Sequence, residues 1–286
     1  MYDTIIMGKG PAGITAAIYL HRSNKKVLVI GKDFGALETH STIDNYYGVP
    51  SINGKELIER GVKQAVDMGI TVLTDEITEV EYATSGFLVH TSNKAYETKT
   101  VFMANGKSRA KVKALGLKEY EGKGISYCVT CDGFFFREKK LAIVGNTEYM
   151  LSELAHMEAI TKDITIFTNG LSLEKDLNYP VVTEKITEFK GDGDSLTSII
   201  TEDGKNYLVD GCFIAAGSAG GLDFALHLGL EVDSKKNIIV EDFMTNIPGI
   251  FAGGDIIGGI QQITKSSSDG LYASFAIKRF LKELNK

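Results

Sequence analysis

The chain has 286 residues, of which 43% are apolar and 24% charged, and carries a net charge of −6. That is enough to bury two cores, and the charge argues against non-specific nucleic-acid binding. No apolar run approaches the ~18 residues of a membrane span and no leader pattern precedes the first strand, so a cytoplasmic protein that engages neither membrane nor nucleic acid is expected.

Tyr2–Met7 reads as a buried strand, followed by Gly8-Lys9-Gly10-Pro11-Ala12-Gly13 and an apolar helix over Ile14–His21. Strand, G-x-G-x-x-G and helix in this order make a dinucleotide loop. Gly8 permits the tight turn, Gly10 lets backbone approach a pyrophosphate, and Gly13 lets helix pack on strand. The helix start, opened by Pro11, offers N–H donors to the anion from Ala12 onward. Lys26–Ile30 is the second strand, which should end in an acid for the adenosine ribose. That position is Gly31, with Asp33 two residues on. Either Asp33 substitutes or the ribose is read by backbone groups.

Asn53–Met68 has the spacing of an amphipathic helix, with Asn53 as cap and Leu57, Ile58, Val62, Ala65 and Val66 on one face. From Thr71 to Ala104 the pattern changes to short alternating strands with a turn at Ser85-Gly86. The order then repeats. Leu141–Val144 is a strand, Gly145 a turn, Tyr149–Ile160 a helix and Ile164–Phe167 a strand. Alternating strands over Val181–Val209 follow, with a hairpin at Asp203-Gly204. The stretch from Ile239 has no counterpart in the first copy and is expected to return to it. The expected fold class is therefore α/β with two Rossmann-like nucleotide-binding domains. The second, residues 109–237, is inserted in the first, residues 1–108 and 238–286. Near the end, Thr245–Asp255 reads TNIPGIFAGGD; Gly254 and Asp255 suit a loop that approaches a cofactor and accepts from its hydroxyls.

The chemical centre is Cys128-Val129-Thr130-Cys131-Asp132. Two thiols at this spacing close and reopen a small disulfide, one attacking and the other resolving, with Asp132 placed to carry a proton. A metal site would need more ligands than Cys212 and five scattered histidines offer, so no metal is expected; Cys212 reads as a small buried apolar residue.

An N-terminal flavin loop, C-x-T-C-D in an inserted domain and G-I-F-A-x-G-D near the end together resemble the low-molecular-weight thioredoxin reductases over nearly the whole chain. Asp44-Asn45-Tyr46-Tyr47-Gly48, Ala104-Asn105-Gly106 and Gln261-Gln262-Ile263 resemble further segments of that family. The resemblance implies FAD, held in part by Asn45, Gly106 and Ile263, with Asp255 on the ribityl chain and Gln262 near the isoalloxazine. It also implies a homodimer, Cys131 nearest the flavin, Cys128 attacking thioredoxin's disulfide, and a dithiol that alternates between flavin and substrate, with domain rotation expected.

The departure lies in the second copy. Where the family carries a G-G-G-x-S-A-type loop and a basic run for NADPH, this chain has Gly145-Asn146-Thr147-Glu148 and, after the next strand, Thr168-Asn169-Gly170. Losing several charge-assisted contacts at ~1.5–3 kcal/mol each would make NADPH binding negligible. This resembles the flavin-dependent ferredoxin–thioredoxin reductases of anaerobes such as clostridia, and so implies ferredoxin as donor. Ferredoxins are acidic, so docking would need a local basic patch; Lys107, Arg109, Lys111 and Lys113, with Arg137, Lys139 and Lys140, are candidates. Three rivals stand beside this expectation: a dithiol oxidase passing electrons to oxygen, a reductase with an unorthodox nicotinamide site, and a non-catalytic redox sensor.

Overall fold

The structure, a computed structural model, describes residues 1–39, 42–106, 112–217 and 220–284. It divides into two compact units, Met1–Lys107 with Gly220–Lys286, and Ser108–Ala219.

The first unit opens with β1 (Tyr2–Met7), α1 (Pro11–His21), β2 (Val27–Ile30), α2 (Gly54–Asp67), β3 (Thr71–Leu73), β4 (Ile77–Ala83), β5 (Gly86–Thr91) and β6 (Ala95–Met103). Strands β3-β2-β1-β6 are parallel, and β6-β5-β4 form an antiparallel meander. β6 joins the parallel and antiparallel parts of this one sheet. Its first half alternates in burial, as suits a half-exposed meander; its last four residues are all buried between two parallel neighbours. α1 begins three residues before the expected Ile14, because Pro11 occupies a first-turn position where its missing N–H costs nothing. Asn53 caps α2 as expected, its Oδ1 accepting the Glu56 N–H at 2.8 Å. Val66, placed on the apolar face by its spacing, is exposed; Ile58 and Ala65 carry the buried contact.

The second unit contains α3 (Leu117–Tyr120), β7 (Ile125–Ser126), α4 (Val129–Asp132), β8 (Leu141–Val144), α5 (Glu148–Met157), β9 (Ile164–Phe167), β10 (Val181–Val182), β11 (Ile186–Gly191), β12 (Leu196–Thr201), β13 (Asn206–Leu208) and β14 (Gly211–Ile214). Its parallel sheet runs β10-β9-β8-β14-β7, with β11-β12-β13 as a separate antiparallel sheet. The repeat read from the sequence is therefore present: β8, β9, β10 and β14 stand where β1, β2, β3 and β6 stand in the first unit.

The chain then returns through α6 (Gly221–His227), β15 (Ile250–Ala252) and α7 (Ile263–Glu283), with β15 completing the first parallel sheet beside β6. The return comes earlier than the expected 237/238. Gly221 donates its N–H to Gly106 O, a Cβ on Gly221 would fall 1.7 Å from Ile256 Cδ1, and Tyr82 donates to Leu228 O at 2.7 Å. These contacts tie residues 220–237 to the first unit. Among the described residues no helix is long and apolar enough to cross a membrane.

Candidate functional site

In the first unit the loop after β1 is built by exclusion. Gly8 has φ +111, and a Cβ there would lie 2.5 Å from Ala104 O; a Cβ on Gly13 would lie 2.0 Å from Gly8 O. Both glycines are therefore demanded by the fold itself. Gly10 differs: a Cβ there meets nothing within 4 Å, so the space above it is open. No side chain caps the start of α1, which leaves its first amides free for an anion.

The missing acid has a steric cause. A side chain at Gly31 would meet Lys9 N and Lys9 Cγ at 3.0 Å, because the Lys9 stem crosses the end of β2 to donate from Nζ to Thr74 Oγ1 at 3.0 Å. Burial lowers the Lys9 ammonium's pKa, partly offset by the nearby Asp33 charge. Asp33 is exposed, with Oδ1 accepting the Gly35 N–H at 2.8 Å.

The fold gathers the distant candidates of this unit. Asn45 Nδ2 donates to Gln262 Oε1 at 3.3 Å across 217 residues of chain, at the residue that caps α7. Asp255 sits in a short turn after β15, with the Ser266 hydroxyl 3.4 Å from its Oδ1; Gly254 beside it donates to Asp269 Oδ2 at 2.8 Å. Ile263 is the first residue of α7. α7 packs against α1 closely enough that a Cβ on Gly270 would lie 2.1 Å from Ala12 O. Two buried oxygens, Asn105 Oδ1 and Ser267 Oγ, have no hydrogen-bond partner among the described residues. Open space over Gly10, uncapped amides and unpartnered buried oxygens fit a large polar cofactor such as FAD.

In the second unit Cys128 and Cys131 form a disulfide, with Cα atoms 5.3 Å apart. Cys128 caps the single-turn α4 and is 2% exposed, whereas Cys131 is exposed. The Cys131 N–H points at Cys128 Sγ at 3.1 Å. Asp132 accepts from Ser126 Oγ at 2.6 Å, and that same hydroxyl oxygen receives the Cys128 N–H at 3.1 Å. The acid next to the dithiol is thus tied to it through one serine. Cys212 is fully buried in β14, and burial pushes its thiol far up, as an inert apolar residue requires.

The crevice of the second unit's parallel sheet is crossed by its own side chains. Thr147 Oγ1 donates to Gly217 O at 2.6 Å, spanning from the loop after β8 to the loop after β14. Asn146 Nδ2 donates to Ser172 O at 3.1 Å, spanning to the loop after β9. Glu148 pairs with Lys175 at 2.8 Å, and Asn169 Oδ1 is taken by the Ile186 N–H. Asn146 and Thr147 thus tie the loop after β8 to the loops after β9 and β14, at the carboxyl ends of the parallel strands where a dinucleotide would lie.

Two features escaped sequence reasoning. Phe134 and Phe135, directly after the dithiol turn, are 66% and 70% exposed, with the Arg137 guanidinium 4.7 Å from the Phe134 ring centre. The run of three phenylalanines was the available signal; Phe136 differs by packing edge-on to Phe213. Glu153 on α5, buried at 3% exposure, accepts the Val129 N–H beside Cys128. Of the basic candidates, Lys113, Arg137, Lys139 and Lys140 are exposed, while Lys107, Arg109 and Lys111 lie outside the described residues.

The chain matches the family described as Pyridine nucleotide-disulphide oxidoreductase over residues 2–170 and 172–270. It is 32% identical to a thioredoxin reductase of Coxiella burnetii, covering 100% of this chain and 98% of that one. Among solved structures it is similar to the atypical thioredoxin reductase TRi of Desulfovibrio vulgaris Hildenborough, at 33% identity, 99% coverage of both chains and a TM-score of 0.92. It is also similar to a ferredoxin-flavin thioredoxin reductase of Clostridium acetobutylicum, at 26% identity, 99% and 98% coverage and a TM-score of 0.73.

Proposed function

We propose, from the premise that this chain belongs to the pyridine nucleotide-disulphide oxidoreductases and within them to the low-molecular-weight thioredoxin reductases, that it reduces the disulfide of thioredoxin with electrons from reduced ferredoxin rather than from NADPH. The observation that carries the choice of donor is the crossed crevice. Asn146 and Thr147 put side chains where bare backbone should meet a pyrophosphate, and each is already bonded to the opposite loop. Glu148 adds an acid at the start of α5, and no cation of the replaced basic run remains for a 2′-phosphate.

FAD would be held by Gly8, Gly10, Pro11, Ala12 and Gly13 at its pyrophosphate, by Asp33 toward the adenosine ribose, and by Asn45, Gly106, Gly254, Asp255, Gln262 and Ile263 toward the flavin. When bound it supplies two electrons to the Cys128–Cys131 disulfide and accepts them singly from an iron–sulfur donor. With two protons taken up, that disulfide opens to two thiols. The Cys128 thiolate then attacks the substrate disulfide, forming a mixed disulfide and releasing one substrate thiolate. Cys131 attacks Cys128 Sγ, which re-forms the internal disulfide and releases the second substrate thiol. Asp132, held by Ser126, is placed to carry a proton in these exchanges. Because Cys128 is the buried member of the oxidised pair, its attack requires that opening the disulfide expose it. Phe134 and Phe135 offer an apolar surface for thioredoxin beside the pair, and Arg137, Lys139 and Lys140 offer charge to an acidic donor. The family resemblance supports a homodimer, and a redox-active C-x-x-C suits a reducing cytoplasm.

Equilibrium titration of the FAD-loaded protein with NADPH and with NADH tests the nucleotide reading. Neither should give saturable binding up to about 1 mM, where an intact site binds at micromolar concentrations. Saturable micromolar binding of either nucleotide would overturn it.

A further inference from the structure

Glu153 is a carboxyl at 3% exposure on α5, away from any charge run. Its Oε2 accepts the Val129 N–H at 3.1 Å. Val129 is the first residue of α4 and follows Cys128 directly, so this bond is made to backbone within the four-residue dithiol segment. A one-turn helix cannot hold itself, since nucleation fixes several dihedrals for one hydrogen bond. α4 is therefore shaped by what lies around it. The Asp132 N–H closes the turn on Cys128 O at 3.2 Å, and three further amides of the segment go to side chains. The Cys128 N–H goes to Ser126 Oγ, the Val129 N–H to Glu153, and the Cys131 N–H to Cys128 Sγ.

We infer that Glu153 is a positioning residue for the redox pair. By holding the Val129 N–H it leaves the Cys131 N–H as the amide turned on Cys128 Sγ, and so sets the balance between disulfide and dithiol. Amides directed at a sulfur stabilise its thiolate and hence the reduced pair. If the Val129 N–H were released, it would add to the donors facing Cys128, and the dithiol would be favoured. The inference rests on the reading of Cys128–Cys131 as redox-active and is independent of the electron donor.

The test is equilibration of the FAD-loaded, full-length protein with glutathione. Two molecules of reduced glutathione open the disulfide to two thiols and leave one oxidised glutathione, so electrons and protons balance without thioredoxin or ferredoxin. Glu153→Leu removes the acceptor and should shift the equilibrium about tenfold or more toward the dithiol. Glu153→Gln keeps an oxygen in place and should stay within about threefold of the parent. Val129→Pro removes the donor instead, at a first-turn position that tolerates proline. With no N–H left to turn toward Cys128 it should stay within about threefold of the parent, and it keeps the test decisive if the leucine variant does not fold. Combining Val129→Pro with Glu153→Gln should add nothing further. Parent-like equilibrium in Glu153→Leu, a tenfold shift in Val129→Pro alone, or equal shifts in the Leu and Gln variants, would overturn the role of Glu153. A parent protein whose pair never exchanges with glutathione would instead overturn the redox reading on which it rests.

Discussion

Gly10, just before α1, and Gly13, in its first turn, lie three residues apart and answer to different demands. A side chain at Gly13 collides with Gly8 O at 2.0 Å, so Gly13→Ala should destabilise the first unit whether or not a cofactor is present. A side chain at Gly10 meets nothing in the protein, so Gly10→Leu should fold, give the parent's circular dichroism and release no FAD on denaturation. Full FAD retention in Gly10→Leu would contradict the loop's assignment. The cysteines make a second contrast. Cys131→Ser should leave Cys128 to trap thioredoxin as a stable mixed disulfide, while Cys128→Ser should not reduce thioredoxin and should show a long-wavelength charge-transfer band with the flavin. Trapping by Cys128→Ser instead, through the exposed Cys131, would reverse the roles. Much at this scale was legible: the glycine loop, the C-x-x-C and the degenerate second loop are local patterns. The reason for Gly31 was not, because it depends on where the Lys9 side chain runs. Glu153 was illegible for the same reason; its partner is a backbone amide 24 residues away in sequence.

Among the elements, the strands and the capped α2 were readable because their periodicity is local. α7 was not recognised as a helix. Its start carries Ser266-Ser267-Ser268-Asp269-Gly270, a run of weak helix formers, yet those small residues are what let α1 approach to backbone contact at Gly270. α6 was assigned to the wrong unit because its tie to Gly106 and Ile256 is tertiary. At its start, burial pushes the Asp223 carboxyl up to about 6, although the carboxylate accepts the Gly220 N–H at 2.6 Å. The folded value lies above the unfolded one, so the neutral form's stabilising contribution is complete below about pH 4 and is lost as pH rises through about 6. Measured against Asp223→Asn, the parent's melting temperature should gain ground as pH falls from about 7.5 to about 5. A difference that does not change with pH would show that Asp223 titrates normally.

Over the whole molecule, the same unit occurs twice with opposite fates. The first keeps open space over Gly10 and uncapped helix amides. The second keeps its first glycine, where a Cβ would lie 2.3 Å from Ala215 O, and fills the rest of its crevice with Asn146, Thr147 and Glu148. On the proposed reading, the second unit keeps what folding needs and gives up what only a nucleotide would need. The repeat itself was visible in the order of strands and turns, whereas the bonds that close the second crevice required the structure. The central claim, a thioredoxin reductase fed by a one-electron donor, is tested most directly by anaerobic stopped-flow absorbance of the flavin, with thioredoxin present, on mixing with NADPH, NADH or reduced low-potential ferredoxins. Ferredoxin should bleach the flavin fast, more slowly as salt rises, with thioredoxin reduction following, and neither nicotinamide should bleach it. Fast bleaching by a nicotinamide at micromolar concentration would contradict the central claim. So would failure of several ferredoxins to support thioredoxin reduction, which would favour a dithiol oxidase.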